Sequence, residues 1–363
     1  MKNKKILFLL PYPVKKAPSQ RLKFEQYFSV FINANYDITT NSFISDKLWH
    51  ILYKPRYFLK KFIFTFFGYI NRIKILFSLR KYDLVYIHLW VTPMGTSFFE
   101  FIVCLISKKI VYDIDDMVFL GHSSEANKYF QRIKGKNKMI YLMRKANHVI
   151  TCTPKLDEFV KQFNSNTTDI SSTVDTKSNY IPINNYKNDH QIIIGWSGSH
   201  STSKYLYLLE NVFQELAKKY NYKLIVIGDS NFDIKGVDVE SYNWSEEIEV
   251  ATLQKFDIGV YPLPDEEWVY GKSGLKAIQY MALGIPTIAT AIGANYRIIN
   301  DGINGYLVST NNFKLWKKRL EQLITSENLR ERLGKEGRKT IEEHYSIEAN
   351  KDKYLAIFNS LLG

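Results

Sequence analysis

The sequence predicts an α/β protein of two domains, each a parallel sheet covered by helices. Three observations lead there. A chain of 363 residues exceeds what one hydrophobic core organises. Short apolar runs alternate with segments of helical periodicity along the whole length. Residues 175–190, Asp-Thr-Lys-Ser-Asn-Tyr-Ile-Pro-Ile-Asn-Asn-Tyr-Lys-Asn-Asp-His, are polar and aperiodic, and read as the connection between two such series. The expected domains are residues 1–185 and 190–345, followed by a terminal segment, 346–363.

In the first series the expected strands are Lys5–Leu10, Leu84–His88, Lys109–Asp113 and His148–Cys152. Helical patterns lie near Gln20–Ile32, Pro93–Ser107 and Glu125–Lys145. Pro154 suits the first turn of another helix, with Thr153 as its N-cap. Met1–Leu10 has lysines before its apolar run. The run is short and lacks a small-residue cleavage site, so it reads as a first buried strand rather than a signal peptide. The second series opens with the strand Gln191–Trp196. It continues with helix Ser203–Tyr220, strand Lys223–Gly228, helix Ser245–Gln254, strand Asp257–Tyr261 and strand Ile285–Thr290. Helices near Asn312–Thr325 and Glu327–Glu343 follow, and Ser346–Leu362 is amphipathic.

A content of 45% hydrophobic and 15% aromatic residues belongs to a folded chain, not a disordered one. Cys104 and Cys152 are the only cysteines, which excludes a disulfide framework and a cysteine zinc site and fits a reducing cytoplasm. The net charge of +13 is uneven. Residues 1–80 hold 15 Lys and Arg against 3 Asp and Glu, a net of +12, and the rest of the chain is nearly balanced. Within this stretch, residues 49–80 interleave aromatics with Lys and Arg. The apolar run Phe62–Ile70 is far shorter than the roughly 20 residues that span a bilayer. Such a segment suits a helix lying on an anionic membrane, each basic residue adding about 1 kcal/mol, or a packed core helix with a solvated basic face.

The most informative stretch is Gly271-Lys-Ser-Gly-Leu-Lys-Ala-Ile-Gln-Tyr-Met-Ala-Leu-Gly-Ile-Pro-Thr-Ile-Ala-Thr290. It reads as a glycine loop, a helix opening on lysines, a glycine turn and a buried strand. Gly271 and Gly274 permit close approach of backbone to a ligand. A helix start presents N–H groups and a positive dipole end, which suit phosphate. Lys272 and Lys276 are four apart and share a helix face. Two cations at a helix N-terminus are unfavourable by about 0.3–1 kcal/mol each, and a bound anion reverses that sign. A second strand–turn–helix site is expected at Gly198-Ser-His-Ser-Thr-Ser-Lys204, with Ser201 or Thr202 as N-cap.

The 271–290 segment resembles the donor motif of retaining glycosyltransferases of the GT-B fold, glycosyltransferase family 4. That family has two glutamates eight apart before Gly-x-Pro. Here those positions fall on Gly271 and Gln279, a branch pattern of Gly-Lys-x-x-x-Lys-x-x-Gln-Tyr-Met-Ala. The resemblance implies two Rossmann-like domains with parallel sheets facing a central cleft. The C-terminal domain would bind a nucleotide sugar and the N-terminal domain an acceptor, with the last helix returning to the N-terminal domain. It implies that Lys272 and Lys276 act on the diphosphate leaving group. Gly198, Ser199, Lys204, Ser273, Gly274 and Leu275 would contact the donor, Gln279 its ribose and Tyr242 its base. Lys204 keeps the family's spacing of six from Gly198, while Ser199 replaces an arginine. No metal is expected.

In the first domain, Ser19 and Arg21 follow the first strand, where ligands of open α/β sheets bind, and are candidates for acceptor or phosphate contact together with His200. Asp113-Ile-Asp-Asp116 closes a strand. Such carboxylates can bind Mg²⁺, act as a base or serve structure. The resemblance places Asp115 and Asp116 near an acceptor contact. The expected reaction is transfer of a sugar to a lipid-linked or growing glycan in bacterial polysaccharide or lipopolysaccharide assembly, by a peripheral cytoplasmic enzyme on an anionic membrane. A nucleotide-sugar epimerase of the same fold and a non-catalytic glycan-binding scaffold are the alternatives. Nucleic acid is not an expected partner, since no recognition motif accompanies the basic region.

Overall fold

The computed structural model describes residues 3–115, 136–183 and 191–363. The chain forms two units, Met1–Ser172 with Asn350–Gly363, and Thr173–Ala349.

The N-terminal unit is a six-stranded parallel sheet in the order β2-β1-β3-β4-β5-β6. Its strands are β1 Lys4–Leu10, β2 Tyr36–Ser42, β3 Leu84–His88, β4 Ile110–Asp113, β5 His148–Thr151 and β6 Thr167–Asp169. The central strands are buried on both faces, as Ile6 to Leu10 and Leu84 to His88 show, because helices cover the sheet on each side. Part of that cover is the terminal helix Ile347–Leu362. Its Tyr354 and Phe358 rings pack on Phe31, at 5.7 and 4.9 Å between centroids.

The C-terminal unit is also six-stranded and parallel, in the order β12-β11-β10-β7-β8-β9. Its strands are β7 Ile192–Ser197, β8 Tyr222–Ile227, β9 Val239–Tyr242, β10 Ile258–Tyr261, β11 Thr287–Thr290 and β12 Tyr306–Val308. The order reverses between β7 and β10, the topological switch where such sheets place ligands. In the N-terminal unit the corresponding reversal lies between β1 and β3. Arg338 ties the segment after residue 172 to this unit, donating to the carbonyls of Thr176, Tyr180 and Ala282.

Eight expected strands appear, and all eight are interior to their sheets. The four strands that periodicity did not predict, β2, β6, β9 and β12, are the four sheet edges. Two expected helices are broken. Gln20–Ile32 resolves into helices Pro18–Arg21 and Phe28–Asn33 with a 3₁₀ turn, Glu25–Tyr27, between them. Buried polar side chains compete with the ladder there. The Gln20 amide binds the backbone of Tyr12 and the Glu25 carboxylate, and Lys23 reaches Asp113 in the core at 2.5 Å. Ser203–Tyr220 resolves into a 3₁₀ stretch, Ser203–Leu209, and an α-helix, Glu210–Ala217. The expected helix Glu125–Lys145 is described only over Lys136–Lys145, and the connection 175–190 only to residue 183.

The basic aromatic region folds as helices Asp46–Leu52 and Phe58–Leu76. Ser45 caps the first through Leu48 N–H. The second approaches the end of β2 closely. A Cβ on Gly68 would lie 2.8 Å from the Phe43 carbonyl oxygen. Arg72, one of the cations expected on the basic surface, is instead fully buried. Its guanidinium donates to the carbonyls of Val91, Asn41 and Leu10 at 2.8, 2.7 and 2.6 Å. No helix among the described residues is long and apolar enough to cross a membrane.

Arg72→Met should therefore destabilise the fold rather than change surface charge alone. The carbonyls of Val91, Asn41 and Leu10 would lose the guanidinium, Leu10 O keeping only the Phe43 N–H, a loss of about 2–4 kcal/mol read as a lower urea midpoint. An unchanged midpoint would contradict the buried placement of Arg72.

Candidate functional site

The helix Leu275–Ala282 follows β10 and begins at Gly274, in the left-handed region at φ +75°. No side chain caps its start, so first-turn N–H groups face outward from the protein's own ladder. It ends as a Schellman turn. Gly284 N–H donates to Met281 O and Ile285 N–H to Tyr280 O, both at 3.0 Å, with Gly284 at φ +72°. Gly259 of β10 leaves room for the helix. A Cβ there would lie 2.5 Å from the Tyr280 ring. The Tyr280 hydroxyl in turn accepts from Ser197 N–H at the end of β7, 2.7 Å away. The helix is thereby docked over the switch point.

Lys276 projects from this helix across both strands that flank the reversal. Its Nζ lies 5.2 Å from the ring centroid of Trp196 at the end of β7, and 5.0 Å from that of Tyr261 at the end of β10. Among the described residues Lys276 has no carboxylate within 4.0 Å and no hydrogen-bond partner. Burial, and secondarily the charge of Lys272, lowers its pKa to about 7. The Lys272 ammonium lies over Trp268, 5.4 Å from the centroid. Trp268 pairs with Tyr205, and Lys204 lies over Tyr205 at 5.3 Å.

The turns at 198 and 271–276 thus meet. A Cβ on Gly198 would sit 3.0 Å from Lys276 Cε and only 2.3 Å from the Trp196 ring. A Cβ on Gly228, at φ +109°, would collide with the Gly198 carbonyl oxygen. Close packing of bare backbone therefore shapes the floor of the site.

Several expected contacts are committed elsewhere. The N–H of Gly198 completes the sheet on Ile227 O at 2.9 Å, and Ser199 N–H donates to Thr202 Oγ1 at 3.2 Å. Those two amides are therefore engaged within the protein rather than open to phosphate. Neither Ser201 nor Thr202 caps the following helix with its side chain, because the turn binds itself. Gln279, expected at a ribose, is buried instead, its amide donating to Tyr180 Oη at 2.7 Å and Glu249 Oε1 at 3.1 Å. Tyr242 ends β9, its hydroxyl bonded to Glu240 and its ring under Lys255. His200 is exposed and pairs with Asp229 at 3.0 Å. Burial pushes the Asp229 carboxyl up, but hydrogen bonds from Ser203 and His200 outweigh it and leave the pKa below normal. Trp196, Tyr205, Asp229 and Tyr280 were missed as site-forming residues. Only the aromatic two places before Gly198 offered a signal.

In the N-terminal unit, Ser19 and Arg21 follow the end of β1 on the Pro18–Arg21 helix. Arg21 is partly buried beside Glu25. Asp113 is fully buried and structural, held by Lys23 at 2.5 Å and by the Tyr86 hydroxyl at 2.6 Å. Asp115 follows it, half-buried, with its charge felt by Tyr12, whose pKa is raised to about 12 mainly by burial. Asp116 lies outside the described residues. Among the described residues no group of three His, Cys, Asp or Glu could hold a metal ion.

Residues 181–340 match the model of the family described as glycosyl transferases group 1. This segment is similar to that family, over less than half of the chain. It contains β7 to β12 and both turns of the site. The capsular polysaccharide biosynthesis glycosyltransferase CapM of Staphylococcus aureus is 26% identical over 180 residues, 47% of this chain and 46% of that protein. The chain thus matches less than half the length of this curated relative. Among solved structures, sucrose-phosphate synthase from Thermosynechococcus elongatus superposes with a TM-score of 0.72 at 15% identity, over 99% of each chain. Anabaena HepE in complex with UDP-glucose gives 0.63 at 13% identity, over 98% of this chain and 99% of that one. The fold is GT-B.

Lys276 sets a pH dependence. An unfolded chain holds a lysine proton to about pH 10.4. Folded Lys276 releases it near pH 7. The unfolded state therefore binds more protons between those values, so stability should rise with pH across that window through this group. Lys276→Met should flatten the rise in melting temperature between pH 7 and 9. A bound anion should restore the proton, so affinity for inorganic pyrophosphate should fall by up to about tenfold per pH unit above 7. Calorimetry at pH 8 in two buffers of different ionisation heat should show proton uptake that Lys276→Met abolishes. Equal uptake in the variant would remove Lys276 from the anion site.

Proposed function

We propose that the protein transfers a sugar, with retention of anomeric configuration, from a nucleotide-sugar donor to a lipid-linked or growing glycan. The setting is bacterial polysaccharide or lipopolysaccharide biosynthesis. The observation that carries this reading is the unpaired Lys276 ammonium held over Trp196 and Tyr261 at the sheet reversal, beside Lys272 and an uncapped helix start. A cation kept partly desolvated beside another cation is unfavourable until an anion arrives. A diphosphate suits the place.

The bond from the anomeric carbon to the diphosphate oxygen breaks as the acceptor oxygen bonds to the same carbon on the same face. The acceptor proton passes to the departing phosphate. Lys272, Lys276 and the amides of Ser273, Gly274 and Leu275 stabilise charge as it gathers on the leaving oxygen, and thereby act on the transition state. Lysines fill this role here, so chelators should leave the rate unchanged. Lys204 and Tyr242 bound the donor site. Ser19, Arg21, Asp115 and Asp116 are the acceptor residues of the N-terminal unit, and His200 is the candidate in the C-terminal unit. The name of CapM supports a polysaccharide product, and the HepE complex supports a UDP-sugar donor.

The basic aromatic region supports peripheral binding at the cytoplasmic face of an anionic membrane. Lys60 and Lys74 are exposed and Lys61 partly so, beside exposed phenylalanines.

Two tests follow. A thermal-shift screen of UDP-, GDP-, ADP- and dTDP-sugars should single out one donor class, with about 2.7 kcal/mol of stabilisation at 100 times Kd. Lys272→Ala should lower turnover of that donor by about two to three orders of magnitude. Stabilisation by none of the four, or normal turnover in the variant, would overturn the reading. Separately, neutralising Lys60, Lys61 and Lys74 together should move the protein from the pelleted to the free fraction with anionic vesicles. Unchanged partitioning would argue for a solvated basic face instead.

A further inference from the structure

The helix Phe58–Leu76 turns an apolar stripe away from the protein. Phe58, Leu59, Phe62, Phe66 and Phe67 are 57–81% exposed, and their spacing of four sets them in two adjacent rows on one face. Gly68 and Arg72 are its buried residues. The neighbouring helix Phe98–Ile106 is held to it through Tyr69 and Phe99, 5.7 Å between ring centroids, and adds exposed Phe98 and Leu105. An exposed apolar surface of this kind marks an interaction face.

Charge narrows what that face meets. Between Asp46 and Asp83 the sequence has no acidic residue and nine Lys and Arg, of which Arg72 alone is buried. A second copy of this chain would oppose like charges across a shared interface, which is unfavourable. An anionic bilayer satisfies both the phenylalanines and the cations.

Beside the stripe a cavity of about 520 Å³ opens between the Asp46–Leu52 and Phe58–Leu76 helices. Ile51, Ile63 and Phe64 give it an apolar side, and Lys47 and Lys60 a cationic one, with His50 also in its lining. Asp46 is its one carboxylate, placed in the first turn of its helix, where the dipole favours it. Among the described residues Lys47 and His50 have no carboxylate within 4.0 Å and no side-chain hydrogen bond, while Lys60 lies over the Tyr57 ring at 5.7 Å.

The geometry points to this cavity as a binding site for one phosphate-bearing lipid, with the headgroup phosphate among Lys47, His50 and Lys60 and the first methylenes of its chain against Ile51, Ile63 and Phe64. The site deepens the membrane reading given above and rests on it. A free phosphate gains little here, since exposed cations alone hold an anion weakly in salt. The apolar side adds the contact that only an amphiphile uses.

The test uses the full chain with three kinds of vesicle: phosphatidylcholine alone, and phosphatidylcholine with phosphatidic acid or phosphatidylglycerol at matched surface charge. Lys47→Gln with Lys60→Gln removes two cations from the cavity. Lys74→Gln with Lys81→Gln removes two elsewhere on the same unit and controls for charge. Phe62→Ser with Phe66→Ser breaks the stripe. The cavity pair should weaken binding to phosphatidic acid vesicles about tenfold more than the charge control does. The stripe pair should weaken binding to both anionic compositions. A short-chain phosphatidic acid below its micellar concentration should raise the melting temperature of the wild type but not of the cavity pair, and inorganic phosphate should raise neither. Equal losses in the cavity pair and the charge control would overturn the cavity while leaving membrane binding intact. Wild-type protein that ignores all three vesicles would overturn both. Equal stabilisation by inorganic phosphate would make the cavity a simple anion site and overturn the lipid assignment.

Discussion

The structure of the C-terminal unit is organised by one constraint, the reversal of strand order between β7 and β10. Connections leaving those two strands run in opposite directions, and the gap at their carboxyl ends must be filled or bound. Here it is filled by Lys276 over Trp196 and Tyr261, one ring from each strand. The helix can reach that position because Gly259 admits Tyr280, whose hydroxyl satisfies the last N–H of β7. Gly198 and Gly228 then bring two stretches of backbone together beneath the lysine, closer than any side chain allows. Two buried aromatic rings, three close-packed glycines and the cation over the rings thus depend on a single topological fact.

Elsewhere the protein spends buried charge on architecture. Lys23 and Asp113 form a fully buried pair, and the burial that would neutralise Asp113 is outweighed by Lys23 and His88, so its carboxyl stays below the ordinary range. Arg72 and Arg338 each gather carbonyls from three places in the chain. The contrast with Lys276 is chemical. Each of these cations has its acceptors in the protein, whereas Lys276 has the aromatic faces of Trp196 and Tyr261.

The polar turn at 198–204 shows why a motif read in sequence needs its fold. The spacing from Gly198 to Lys204 suggests an anion nest. In the structure the turn's hydroxyls and amides satisfy one another, and Lys204 lies over Tyr205, whose ring meets Trp268 at a tilt. The cation at the sheet reversal comes from the Leu275–Ala282 helix instead.

Apolar patterning alone located the eight interior strands, because a strand buried on both faces must be continuously apolar. Local signals also located the Leu275–Ala282 helix, its glycine stop and the Thr153 cap, which depend on nearest neighbours. Apolar patterning did not reveal β2, β6, β9 and β12. Each is an edge strand, paired on one side only, and sequences such as Tyr-Asp-Ile-Thr-Thr-Asn-Ser or Val-Glu-Ser-Tyr carry no buried run to detect. Nor could the sequence separate Arg72 from Lys74, or Gln279 from Lys276, since which face of a helix is buried against distant chain is decided only when the sheets assemble. Local order was written in the residues. The roles of the charged ones were assigned by what the fold brought beside them.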